Sequence, residues 1–114
     1  MMKSGPDISL LHMRIIKLIL KKYLPNGTKV WIFGSRVQKT KKKYSDLDLA
    51  IDMNHQKLSI KLLSQLDHAF DESDLPYKVD IVDWNDLDNS FREMIQAVRI
   101  RLNWENDQGE DIII

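Results

Sequence analysis

The 114-residue sequence contains no cysteine, which excludes disulfide bonds and thiolate metal sites. It also lacks a membrane segment, because the apolar run Ile15 to Leu20 is broken by Lys17 and falls far short of the roughly 20 residues needed to span a bilayer. The opening stretch, Met1 to Pro6, is polar and has no small-residue cleavage site. We therefore expect a cytoplasmic protein.

An excess of charge of one sign is also missing, since 17 basic and 17 acidic residues cancel. This balance gives no reason to expect a direct nucleic-acid partner. Locally the charge is uneven, with a basic run at Lys39 and Lys41 to Lys43. We interpret that run as a solvated loop, with attraction of phosphate groups as the alternative. We predict one domain over residues 1–104 and a mobile acidic tail over 105–114.

Apolar spacing predicts an α+β fold with the element order α-β-β-α-β-α. The predicted helices cover residues 7–24, 58–70 and 90–102, and the predicted strands cover 29–33, 47–52 and 77–82. The last helix is expected to begin at a capping box, Ser90-x-x-Glu93, and to bury Phe91, Met94, Ile95, Val98 and Leu102.

Two aspartates on the second predicted strand suggest a metal site. Asp46 and Asp48 are two residues apart, so their side chains point to the same face with Cα atoms roughly 6–7 Å apart. Two such carboxylates repel each other unless a cation lies between them, and hard oxygen ligands suit Mg²⁺. The pair therefore predicts a magnesium site.

A third aspartate, Asp80, lies between Val79 and Ile81 in a segment otherwise suited to a sheet core. If its strand lies beside the second strand, Asp80 joins Asp46 and Asp48 in one cluster. Three carboxylates can hold two metal ions about 3.5–4 Å apart, an arrangement that serves phosphoryl transfer.

Gly34-Ser35 follows the first predicted strand and precedes a short segment able to turn as a helix. Glycine lets the backbone approach a phosphate closely, and the Ser35 hydroxyl with exposed N–H groups favours an anion. We predict that this loop binds a triphosphate facing the metal site.

Simpler interpretations exist for each motif alone, since Gly-Ser is a common turn and Asp-x-Asp often marks a strand edge or a helix cap. An EF-hand is excluded because Ala50 and Ile51 fill a ligand position and the glycine position, and Lys57 stands where a glutamate is needed. No P-loop motif occurs. The three histidines share no metal-ligand spacing.

Gly34-Ser35, ten intervening residues, Asp46-x-Asp48 and a later strand with Asp80 together resemble the DNA polymerase β-type nucleotidyltransferase superfamily. The short length resembles its minimal nucleotidyltransferases (MNT), antitoxins paired with HEPN-domain toxins. The resemblance covers about residues 30–98. It implies a core of mixed strands packed by helices, Mg²⁺ bound by the three aspartates, and ATP phosphates held by Gly34 and Ser35, with Arg36 as a further phosphate contact.

The resemblance further implies transfer of AMP from ATP to a tyrosine of a HEPN-type toxin within a hetero-oligomer. Two alternatives stay open: an antitoxin that neutralises its toxin by binding alone, and nucleotidyl transfer to a small molecule or an RNA end. One departure concerns activity, because many relatives have a glycine shortly after the Gly-Ser-Arg segment, where this chain has Gln38-Lys39.

Overall fold

The computed structural model describes residues 6–38 and 45–105. The predicted basic loop at Lys39 and Lys41 to Lys43, and residues 106–114 of the predicted tail, lie outside the described residues. Glu105, the first residue of that predicted tail, is described, and its Oε2 accepts a hydrogen bond of 2.6 Å from the Gly27 N–H.

Four helices, four strands and one 3₁₀ turn form within the described ranges. In chain order they are α1 (Leu10–Tyr23), β1 (Lys29–Phe33), α2 (Ser35–Gln38), β2 (Leu47–Asp52), α3 (Ile60–Asp71), β3 (Val79–Asp83), the 3₁₀ turn (Trp84–Asp86), α4 (Asn89–Gln96) and β4 (Ile100–Arg101). The predicted α+β class and the order of its six elements are confirmed. The segment after Gly34, which the sequence indicated could turn as a helix, forms α2, and the structure adds the 3₁₀ turn and β4.

The strands form one mixed sheet in the order β3-β2-β1-β4. β1 runs antiparallel to β2 and to β4, whereas β2 and β3 run parallel. Parallel strands begin at the same edge of a sheet, and here that edge carries Asp48 paired with Asp80. The expectation that the second and third predicted strands are neighbours is confirmed.

The two faces of the sheet are covered unequally. One face packs against α1 and α3 through a large apolar cluster that includes Ile32, Leu49 and Leu66, each fully buried. The opposite face carries a small cluster around Ala50, Trp84 and Ile95. The alternation of side chains along β2 places Asp48 on this sparsely covered face. None of the helices in the described ranges is long and apolar enough to cross a membrane.

The predicted last helix was wrong at both ends. Its N-cap is Asp88, whose Oδ1 accepts from the Phe91 N–H at 2.9 Å and also from the Ser90 hydroxyl, so Ser90 does not cap it. The helix stops at Gln96 because the chain then joins the sheet as β4.

The predicted buried face of this helix was also largely wrong. Phe91 and Met94 are 38% and 57% exposed, and only Ile95 is fully buried. Val98 and Leu102 lie beyond the end of the helix, and Leu102 is buried in the larger cluster on the other face of the sheet. A two-residue strand is too short to show an alternating pattern, which explains why the sequence did not reveal β4.

Candidate active site

Three predicted carboxylates lie at the edge of the sheet where β2 and β3 begin. Asp48 and Asp80 are direct neighbours in the parallel register, and Asp46 immediately precedes β2. The side chains of Asp46 and Asp80 lie within hydrogen-bonding reach of each other. The structure therefore brings the three aspartates together, as the sequence predicted for neighbouring strands.

The pKa values of Asp46 and Asp48 are both raised. Burial, followed by the charges of Asp80 and Asp46, raises the pKa of Asp48 to about 6. The hydrogen bond to Asp80, burial and the charge of Asp80 raise the pKa of Asp46, although the positive charge of Lys78 opposes this. A bound cation would remove this repulsion, so the chemistry of the three side chains suits a hard divalent metal ion.

The three carboxylates lie near one another but are not arranged to hold a metal ion in the described ranges. Within residues 6–38 and 45–105, no group of three or more histidine, cysteine, aspartate or glutamate side chains is arranged to hold a metal ion. Asp46 is exposed and Asp80 is 41% exposed, so solvent reaches both side chains. Lys78, which sequence reasoning missed, places its Nζ 3.5 Å from Asp80 Oδ1. The two-residue spacing in a predicted strand was a signal for that contact.

The Gly-Ser loop lies directly against this cluster. Gly34 has φ of +84°, and a Cβ atom built there would overlap the Asp48 carboxylate, with its Cγ only 3.0 Å away. Only glycine therefore fits between β1 and Asp48. Ser35 begins α2, and the Val37 and Gln38 N–H groups donate to the Gly34 carbonyl at 3.1 and 3.0 Å. The two motifs that the sequence separates by ten residues thus form one site.

The side chain of Arg36, predicted to contact a phosphate, is used elsewhere. It is only 4% exposed, and its guanidinium donates to the backbone carbonyls of Ser45 and Asp7. It also stacks on the Tyr77 ring, with Cζ 3.7 Å from the ring centroid. Its donors are thus directed at the protein's own backbone, and we assign Arg36 no phosphate contact through its side chain.

Comparison with known proteins assigns the class of this site. Residues 14–108 match the family described as polymerase beta, nucleotidyltransferase. The chain belongs to this family, and it is a nucleotidyltransferase. Members of the family generally use a nucleotide and a divalent metal ion.

Individual relatives indicate which members of this family the chain resembles. The chain is 46% identical over 94 residues to the probable protein adenylyltransferase MntA of Haemophilus influenzae, covering 82% of this chain and 81% of that one. A structure of a toxin-antitoxin with AMP-PNP has a TM-score of 0.66 at 22% identity over 78% of this chain and 70% of that one. A variant of the toxin-antitoxin MntA-HpeT has a TM-score of 0.65 at 26% identity, covering 82% and 72%. The predicted resemblance to minimal nucleotidyltransferases is confirmed.

Proposed function

We propose that this protein is a magnesium-dependent protein adenylyltransferase that transfers AMP from ATP to a tyrosine of a HEPN-type toxin and so acts as its antitoxin. One observation carries the proposal: Gly34 packs on Asp48, which pairs with Asp80, so a phosphate-binding loop and a carboxylate cluster share one site. The name of the relative MntA and the toxin-antitoxin structures of similar fold support the choice of acceptor.

Each predicted site residue except Arg36 has a role in this proposal. Asp46, Asp48 and Asp80 are the carboxylates for Mg²⁺, with two ions proposed. Gly34 lets the backbone approach the triphosphate, and the Ser35 hydroxyl and the first N–H groups of α2 donate to its oxygens. Bound Mg²⁺ would neutralise charge on the phosphates and on the leaving pyrophosphate.

The proposed reaction forms one bond and breaks one. The tyrosine hydroxyl oxygen bonds to the α-phosphorus of ATP, and the bond from that phosphorus to the oxygen bridging to the β-phosphate breaks, releasing pyrophosphate. The hydroxyl proton passes to a carboxylate of the cluster or to water. Holding the acceptor and ATP in one orientation supplies much of the rate enhancement.

Mass spectrometry of a co-expressed HEPN-type toxin tests the proposal. With the unaltered protein the toxin should gain the mass of one AMP group, and with Asp46→Asn it should not. Asp86→Asn is the matched control, because Asp86 is an exposed aspartate whose Oδ1 pairs with Lys57 at 3.1 Å. A toxin whose mass is the same with the unaltered protein and with Asp46→Asn would refute the proposal.

A second function, neutralisation of the toxin by binding alone, is favoured by one observation. In the described ranges the three carboxylates are not arranged to hold a metal ion. In that case Asp46→Asn and Asp48→Asn should both co-purify with the toxin and still neutralise it in growing cells. Loss of neutralisation with retained co-purification would exclude this alternative.

A further inference from the structure

Arg36 follows Gly34-Ser35 directly and lies in α2. An arginine that is only 4% exposed is destabilising unless its donors find acceptors. All three of its side-chain nitrogens find one: Nε and one terminal nitrogen donate to the Ser45 carbonyl at 3.1 and 3.0 Å, and the other donates to the Asp7 carbonyl at 3.0 Å. The planar guanidinium suits this fork-like grip, which an ammonium group cannot reproduce.

Two further contacts hold Arg36 in place, one to its side chain and one to its backbone. The flat face of the guanidinium stacks on the Tyr77 ring, and the Tyr77 hydroxyl lies 3.1 Å from His12 Nδ1. The Asp7 N–H donates to the Arg36 carbonyl at 3.1 Å. Asp7 is therefore hydrogen-bonded both to the side chain and to the backbone of Arg36. Arg36 is therefore anchored to the segment before α1 and to Tyr77, which lies two residues before β3.

The position of Ser45 makes this anchor relevant to the reaction. Ser45 immediately precedes Asp46, just as Arg36 immediately follows Ser35. On the other side, the Leu47 N–H donates to the Lys78 carbonyl at 2.9 Å, which fixes the start of β2 against the residue before β3. The segment from Ser45 to Asp48 is thus held on one side by Lys78, the residue before β3, and on the other side by the Arg36 side chain.

We propose that Arg36 is a positioning residue for nucleotidyl transfer, which sets the distance between the Gly34-Ser35 loop and the carboxylates Asp46 and Asp48 without contacting nucleotide or metal. The inference rests on the proposed function for the reaction it serves. Turning the side chain outwards to a phosphate would remove the Arg36 hydrogen bonds to the Ser45 and Asp7 carbonyls.

Arg36→Lys separates positioning from phosphate binding. A lysine keeps the charge but cannot bond to two carbonyls in the fork geometry, so a positioning role predicts a fall in kcat of about 100-fold with KM for ATP changed by less than about threefold. Arg92→Lys is the matched control, because Arg92 also donates Nε to a backbone carbonyl, that of Trp84 at 3.0 Å, and lies against the Trp84 ring. It should leave kcat unchanged.

Two measurements do not depend on turnover. Titration with Mn²⁺ alone should show about tenfold weaker binding to Arg36→Lys, because Asp46 is no longer held near Asp48. Amide hydrogen exchange over residues 45–48 should be faster in the same variant. If the unaltered protein transfers no AMP to a HEPN-type toxin, the proposed function fails, whereas these two measurements still decide the role of Arg36.

Two outcomes would overturn the positioning role of Arg36. Weaker binding of AMP-PNP by Arg36→Lys, with unchanged kcat, unchanged Mn²⁺ affinity and unchanged exchange, would mean that Arg36 contacts the phosphates and would overturn the proposal. If Arg36→Lys does not fold, Tyr77→Leu replaces it, because that change removes the ring under the guanidinium and keeps its hydrogen bonds. Tyr77→Leu should lower kcat and Mn²⁺ affinity by a few-fold, and no change in either would also overturn the proposal.

Discussion

The parallel strands β2 and β3 carry aspartates at both ends, and the two ends treat them in opposite ways. At the first end, Asp46, Asp48 and Asp80 face one another. At the second end, Asp52 and Asp83 close the two strands. The residue type and the strands are the same, so the difference between the ends comes from the surroundings of the carboxylates.

The second end is rich in hydrogen-bond donors. Asp52 is 5% exposed, and its Oδ1 accepts from the His55 N–H and from Asn85 Nδ2, each at 2.8 Å. Asp83 accepts from the Leu58 N–H at 2.8 Å and from the Asn85 N–H at 3.2 Å. Burial alone would raise the pKa of Asp52, but the bonds from Asn85 and His55 and nearby positive charges lower it overall.

The contrast teaches which carboxylates are structural. A carboxylate bonded to N–H groups stabilises the loop that supplies them, whereas carboxylates that face one another destabilise the fold until a cation binds. Groups with raised pKa values caused by burial and like charges are typical of functional sites. The first end is therefore the proposed site of the chemistry, and the second end holds the 3₁₀ turn and the loop before α3.

The largest expected effect is on activity. Asp48→Asn should lower the rate of AMP transfer by about 1,000-fold or more, because a metal-binding carboxylate contributes several kcal/mol to the transition state. Asp83→Asn, the corresponding change at the other end, should keep most of the activity per folded molecule. Single-turnover transfer to the toxin with labelled ATP measures both, and equal losses in the two variants would remove the contrast between the ends.

A change next to the first end should have the next largest effect. Gly34→Ala places a methyl group on the Asp48 carboxylate and should lower activity by about 100-fold, since small displacements of reacting groups have effects of that size. Gly27→Ala is a matched control, because Gly27 has a similar φ of +89° but its Cβ would meet only Asn54 Oδ1, at 3.7 Å. Both variants should lose about 1 kcal/mol of stability from backbone strain, and Gly34→Ala should lose more because its methyl group overlaps the Asp48 carboxylate. Similar activity in the two variants would show that the close approach of Gly34 to Asp48 is not needed for activity.

Much of this arrangement was predictable from the sequence. The bounds of β1 and β2 follow from short apolar and alternating segments, and both match the predicted ranges 29–33 and 47–52. The pairing of Asp48 with Asp80 follows once the two strands are neighbours. The Arg36 contacts with Ser45 and Asp7 were not predictable, because they join segments whose proximity depends on the whole fold.

The third prediction concerns stability without metal at pH 7. Asp48→Asn should raise the free energy of unfolding by up to about 1 kcal/mol, because it removes a repelled charge from a functional site. Asp83→Asn should lower it by about 1–2 kcal/mol, because an amide accepts with one oxygen where the carboxylate accepts with two. Urea denaturation followed by circular dichroism measures both values. A shift of the same sign in the two variants would contradict the assignment of the two ends.

The smallest expected effects concern the pH dependence of folding stability, to which the carboxylates at the two ends should contribute with opposite sign. The metal-free folded protein binds a proton at Asp48 more tightly than the unfolded chain does, since its pKa is about 6. Asp48 therefore lowers the free energy of unfolding as the pH rises from about 4 to about 6. Asp52 has a lowered pKa in the folded protein, so its carboxylate stabilises the fold fully above the usual pKa range of aspartate. This stabilisation is lost as the pH falls through the lowered pKa.

Protons should also compete with metal at the first end. Below pH 6, Mn²⁺ affinity should fall by up to about tenfold for each pH unit, because Asp48 must lose its proton to bind the ion. Titrations of the unaltered protein and of Asp52→Asn should show the same dependence, since Asp52 lies at the other end of β2. An affinity that is flat between pH 5 and 7 would mean that Asp48 does not bind the metal, and the carboxylates at the two ends would then no longer differ in function.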